Sequence, residues 1–167
     1  MIIVEADCDE EWDSNIGWAE LAESAAEAAI AESRFPVLAA GPRTVELSVR
    51  LADDEEVREL NALWRGKDKP TNVLSFPLAD EAQLAAAPVD GPELMLGDIV
   101  LARSVCAAEA REKAIPIDQH DAHLMVHGTL HLLGYDHDDD EAANDMEARE
   151  TRALARLGIA DPYREDR

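Results

Sequence analysis

The chain has 167 residues, 47% of them hydrophobic and 31% charged, with a formal net charge of −22. That length suits one domain, residues 1–167, with a substantial core, and two cysteines are too few for a disulfide framework. The acidic balance works against long-range attraction to nucleic acid, and no apolar run approaches the ~20 residues that span a bilayer.

Residues 2–5 read as a short strand. Residues 17–33 are Ala-rich, with Trp18, Leu21, Ala25 and Ala28 at helical spacing. Residues 34–42, marked by Pro36, Gly41 and Pro42, are expected to form a loop. From Val45 to Leu51 apolar and polar residues alternate strictly, the pattern of a half-buried strand. Asp53 followed by Glu56 predicts a helix start, Val57, Leu60 and Trp64 continue its period, and Gly66 ends it. Arg65 then stands on the last helical turn, facing a loop. Two more strands are expected over residues 72–76 and 95–101. The polar stretch 79–93 between them reads as a loop, either a surface insertion or a lid over substrate. The C-terminal half is helical over 103–114, 118–133 and 140–157, the last with an apolar stripe of Ala143, Met146, Leu154 and Leu157. The pattern predicts an α+β domain with a small mixed β-sheet and about five helices.

Chemistry concentrates in His127-Gly-Thr-Leu-His131-Leu-Leu-Gly134-Tyr-Asp-His137. Residues four apart on a helix differ by only about 40° around its axis, so His127 and His131 share one face. Gly134 is a helix stop, after which the chain can return His137 to the other two. The chain has five histidines, and four of them fall within residues 123–137 in a Leu-rich setting. Burying several imidazoles there without partners is costly, and a shared metal ion relieves the cost. Three neutral nitrogens with a fourth position open describe a catalytic zinc site. Copper or nickel also suits such donors.

The helical pair resembles the HExxH zincins, but Gly128 stands where those peptidases carry their general-base Glu. The longer string from His127 to His137 resembles the signature of the YbeY family of zinc-dependent endoribonucleases. Arg65-Gly-Lys-Asp-Lys-Pro-Thr-Asn-Val-Leu-Ser-Phe-Pro77 is similar to that family's other motif, and Gly97-Asp-Ile-Val100 to its strand segment between the two. These matches reach from about Asn61 to His137, and the flanks agree in general pattern only. The resemblance implies an α+β fold with a zincin-like metal-binding helix and one Zn2+ per chain on His127, His131 and His137. It also implies a functional arginine at Arg65. The activity implied is single-strand-specific cleavage of RNA in 16S 3′-end maturation and ribosome quality control. Its partners would be an rRNA precursor, the small ribosomal subunit and ribosomal or ribosome-assembly proteins.

Roles follow from residue chemistry. His127 and Arg65 are the candidate catalytic residues, because a guanidinium offers two parallel hydrogen bonds to a phosphate gaining charge. Acids crowd residues 7–13, 53–56 and 136–150, whereas Arg65, Lys67 and Lys69 face Asp68 alone, so RNA contact is expected at these three cations. His123 is a support or proton carrier for the ligands, or a packed histidine. His120 is expected to face solvent. Asp136 either orients an imidazole or serves a turn. Ser75 has no evident base partner, and Tyr135 suits packing. Two other classes stay open, a zincin-like amide or peptide hydrolase and a non-catalytic ribosome-assembly factor with a structural zinc. The lone thiols and an N-terminus without signal-peptide character point to the cytoplasm and away from membranes.

Overall fold

The structure, a computed structural model, describes residues 1–85 and 91–164. Strands β1 (Ile2–Cys8), β2 (Val45–Ala52), β3 (Val73–Pro77) and β4 (Leu94–Ala102) form one sheet in the order β1-β2-β4-β3. The first three in that order run parallel, and β3 pairs antiparallel with β4 at the edge. Five long helices lie where the apolar periodicity predicts them: α1 (Trp18–Ala31), α3 (Asp54–Arg65), α5 (Arg103–Lys113), α6 (Ile117–Leu132) and α7 (Asp140–Arg156). The α+β class with a small mixed sheet is as expected.

Two short helices were not expected. Within residues 34–42, α2 (Val37–Ala40) follows Pro36, whose fixed φ is preorganised for a helix start. Within residues 79–93, α4 (Glu81–Ala85) forms a single turn or so and buries Leu84. The lid considered for that stretch falls partly on residues 86–90, outside the described residues.

Strict alternation in β2 puts Val45, Leu47, Val49 and Leu51 on one face, each at most 1% exposed. They share the main core with Ala22, Ala25, Ala29 and Ile30 of α1 and with Leu124, Met125 and Leu130 of α6. The run of alanines on α1 lets its backbone approach closely. On the opposite face Ala52, Leu74, Val100 and Ala102 form a smaller cluster with Val57 of α3 and Val105 of α5. Gly97 locks β3, β4 and α6 together. It adopts φ +139°, and a Cβ there would lie 2.2 Å from the Phe76 carbonyl and 2.9 Å from Leu132. Only glycine fits so close an approach.

Helix α6 runs through the middle, between the sheet and α1, α5 and α7. From His120 to Leu133 every residue is buried except His127 and His131. A helix enclosed this completely has one narrow line of contact with solvent, and that line is imidazole. Among the described residues no helix is long and apolar enough to cross a membrane. Cys8 is exposed, Cys106 buried, and both are free.

His120 does not face solvent. It is 1% exposed, and its Nε2 lies 2.8 Å from Glu109 Oε1 on α5. The last polar-looking turn before the metal motif is in fact the α5–α6 contact, where tertiary packing overrides the local pattern.

Its neighbour Asp121 is fully buried against α5. Burial pushes its carboxyl up to about 7 from the ordinary 3.8, and the Cys106 thiol offsets this only in part. The unfolded chain releases this proton near pH 3.8 and the folded chain only near 7. The associated stability is therefore fully present below 3.8 and lost as the pH rises through 7. Asp121→Asn, which has no proton to lose, should unfold at higher denaturant than the parent at pH 8, and the advantage should shrink steadily towards pH 4. Equal midpoints at pH 8 would show that the buried acid costs the fold nothing.

Candidate metal centre and cleft

His127 and His131 project from α6 one turn apart. The helix ends at Leu133, whose N–H turns back onto Leu130 and Thr129 carbonyls, and Gly134 takes φ +94° to reverse the chain. Tyr135 is then buried, with its N–H donating to the Leu130 carbonyl at 3.1 Å. Its hydroxyl accepts from the Arg34 N–H at 2.9 Å, and guanidinium groups of Arg34 and Arg149 flank its ring. This is the packing role expected of Tyr135, and it fixes the loop that carries His137. The His137 ring stacks 5.0 Å from that of His127 and lies 4.9 Å from that of His131. One nitrogen from each of the three residues falls within 4.8 Å of the others, an arrangement that could hold a metal ion.

The outward nitrogens explain why the inward ones suit a cation. His131 Nδ1 lies 2.7 Å from the Tyr135 carbonyl, which only accepts, so Nδ1 carries the proton and Nε2 is a bare lone pair. His127 Nδ1 is hydrogen-bonded to Glu150. The two Nε2 atoms face each other at 3.0 Å. Lone pairs at that distance repel, and a shared positive charge removes the conflict. Tetrahedral nitrogens around zinc sit about 3.3 Å apart, so the cluster fits such an ion with little adjustment. Burial, then the neighbouring His127, lowers His131 to about 4. It is neutral at pH 7, the form that ligates metal.

Glu150 is the residue the sequence reading missed. It sits on α7, 1% exposed, and gathers three groups. His127 binds one oxygen. His123 Nε2 at 3.2 Å and the Tyr163 hydroxyl share the other. Burial alone would raise this carboxyl, but the bonds from His123 and His127 outweigh it and hold it down at about 2. His123 is therefore a hydrogen-bonded support behind Glu150, also 3.1 Å from the Tyr163 hydroxyl. Asp136 orients no imidazole; it is exposed, and its Oδ1 accepts from the Asp138 N–H at 3.2 Å in a turn. One signal for Glu150 does exist in the chain. It occupies the buried stripe of α7 with Met146, Ala153 and Leu154, and a carboxylate on an apolar stripe needs a partner.

The cations arrive from the other side. Asp53 caps α3 through the Glu56 N–H at 2.8 Å, and the helix ends at Gly66 in the left-handed conformation. Arg65 stands on the final turn, with Nη2 donating to the Ser75 carbonyl of β3 at 3.0 Å. Buried Asn61 donates to the Lys69 carbonyl at 2.8 Å, which pins the following loop. Asp68 is paired with Arg58, so the one acid of this turn is neutralised away from its lysines. Arg65, Lys67 and Lys69 form one wall of a cleft of about 330 Å³, whose floor is His127, Gly128 and His131. A Cβ on Gly128 would meet the Ile99 side chain at 3.0–3.2 Å, so α6 lies too close to β4 to accept the zincin Glu without a shift. Ser75 contributes its carbonyl to Arg65, and among the described residues no base is hydrogen-bonded to its hydroxyl.

Removing the partner of a ligating imidazole costs about 10–100-fold in metal affinity. Glu150→Ala should weaken retention of an added divalent metal by that factor in a chelator competition. Retention equal to that of the parent would mean that Glu150 serves the fold alone.

The family described as Endoribonuclease YbeY matches residues 8–158. A Sphingopyxis alaskensis protein of that name is 51% identical over 164 residues, 98% of each chain. One from Novosphingobium aromaticivorans is 52% identical over 163 residues, covering 96% of this chain and 95% of its own. A Thermotoga maritima protein solved in solution shares the fold, with TM-score 0.55 at 23% identity over 96% of this chain and 98% of that one. Matched by the family over most of its length and by relatives over nearly all of it, this chain belongs to the endoribonuclease YbeY family.

Proposed function

We propose that the chain is a zinc-dependent endoribonuclease that cleaves single-stranded RNA in small-subunit ribosomal RNA maturation. The observation that carries this reading is one cleft lined both by three cationic side chains and by His127 and His131, two members of the three-histidine cluster. Family membership supports endoribonuclease chemistry. Three imidazole donors suit zinc, one ion per chain on His127, His131 and His137. When bound, such an ion supplies Lewis acidity, polarising a phosphoryl oxygen and raising the acidity of water.

The chain's own residues divide the remaining work. Glu150 fixes the orientation of His127, and the Tyr135 carbonyl fixes His131. Arg65, tethered to Ser75 and projecting beside the histidines, binds the scissile phosphate and stabilises the charge that builds on it. Lys67 and Lys69 hold flanking phosphates. Peptide hydrolysis by the zincin route is disfavoured by the tight Gly128 approach to Ile99.

A surface with net charge −22 has little general affinity for RNA. Selection of substrate then falls to partners, namely the small ribosomal subunit and ribosomal or assembly proteins. Free thiols in the described structure fit a reducing cytoplasm.

Arg65→Ala should fold, keep its zinc and lose about two to three orders of magnitude in single-turnover RNA cleavage, the scale for one preorganised transition-state donor. Arg65→Lys should recover only part, because an ammonium keeps charge without the planar fork. Cleavage by Arg65→Ala at the parent rate, abolished all the same by a chelator, would remove the phosphate-clamp role.

RNA affinity should also fall only gently with salt, since few phosphates are neutralised. A steep dependence would reveal a cationic face other than this cleft.

A further inference from the structure

Arg65 borders two concavities. Beyond the metal cleft, on the face of the sheet away from α6, lies a groove of about 750 Å³ walled on its apolar side by Trp64, Leu60, Phe76, Leu78 and Val100, with Arg50 and Asp98 in its polar lining. Arg65 and Ser75 line both spaces, so the groove opens directly from the phosphate-binding wall. Its most prominent group is Trp64, 67% exposed. Trp12 and Trp18 are 5% and 4% exposed and serve the core, stacked edge-on against each other. Trp64 serves no core. Its ring leans on Phe76 at 6.5 Å, and the Arg65 guanidinium lies 6.0 Å from the same Phe76 ring. Two aromatic rings and a guanidinium thus form a continuous strip in the groove, and its Arg65 end borders the cleft.

We propose that this strip is a base-stacking subsite, on which an unpaired nucleobase next to the scissile phosphate lies against Trp64 and Phe76. The proposal rests on the reading of the cleft as an RNA site and names how that site selects its substrate. A polymer that alternates anionic groups with flat apolar ones matches a surface that sets Arg65 beside Trp64. The charge of the chain points the same way. With three cations in the cleft and −22 overall, ionic contacts supply little binding, whereas stacking is insensitive to charge. A base paired in a duplex has no free face to offer, so the strip favours single strands for a geometric reason.

The test is steady-state cleavage by the zinc-loaded protein, using a single-stranded oligoribonucleotide and the same strand with abasic sites around the cut. Trp64→Ala should fold normally, because the indole it loses is exposed. It should raise KM for the intact strand about 5- to 100-fold, the scale of one stacked base, while kcat changes little. Trp64→Phe should restore most of the loss, since it keeps a ring. On the abasic strand the parent and Trp64→Ala should have the same KM. Mixing the parent with the intact strand should also quench tryptophan fluorescence, and Trp64→Ala should show no quench.

An unchanged KM for Trp64→Ala on the intact strand overturns the subsite while zinc-dependent cleavage still stands. So does a variant that handles RNA like the parent yet binds the small ribosomal subunit less well, because the groove would then be a protein-docking surface. Failure of the zinc-loaded parent to cleave any RNA is a different result and overturns the endoribonuclease reading itself.

Discussion

The site depends on one buried carboxylate. Glu150 sits at 1% exposure and is ionised, a state that is tolerable inside a protein only where hydrogen bonds and opposite partial charges surround it. His127, His123 and Tyr163 supply them. The same bonds aim His127, tie α6 to α7 and draw the segment after α7 against the back of the histidine cluster. Loss of this carboxylate would free His127 and take an acceptor from buried His123 and half-buried Tyr163 at once. Metal affinity and the local fold therefore share one interaction.

The opposite wall has a separate origin. The order β1-β2-β4-β3 leaves β3 at the sheet edge, where its backbone is available to a neighbour. The Ser75 carbonyl receives Arg65 from the end of α3, and α6 lies beneath the same strand. Gly97 makes the close approach of β3, β4 and α6 possible. Cations and imidazoles thus meet in one cleft although they are some sixty positions apart in sequence. The rest of the chain is strongly acidic, so this cluster of cations stands out against a net charge of −22.

Much of this was legible in the residues alone. The i,i+4 histidines followed by Gly134 predicted both the helix and its reversal, because helical period and left-handed glycine are local physics. Asp53 with Glu56 marked the start of α3 and Gly66 its end, and strict alternation marked β2. What escaped was tertiary. Glu150 is one acid in a run of acids, distinguished only by lying on the buried side of α7. Tyr163 lies beyond the last predicted helix. His120 looks like a solvent-facing residue until α5 covers it with Glu109. The short α2 and α4 carry too few residues to show a period. The exposed ring of Trp64 shares its helical spacing with Val57 and Leu60, and period alone does not tell which of the three the core covers.

The central claim is that the three-histidine cluster holds the one metal ion on which RNA cleavage depends. Adding zinc stepwise to metal-free protein, and measuring single-turnover cleavage against bound zinc, tests it most directly. The account predicts no cleavage without metal, a rate rising in proportion to occupancy up to one zinc per chain, and no gain beyond. His131→Ala should show neither tight zinc nor cleavage while keeping the parent's circular dichroism. Undiminished cleavage by folded, metal-free protein would contradict the account.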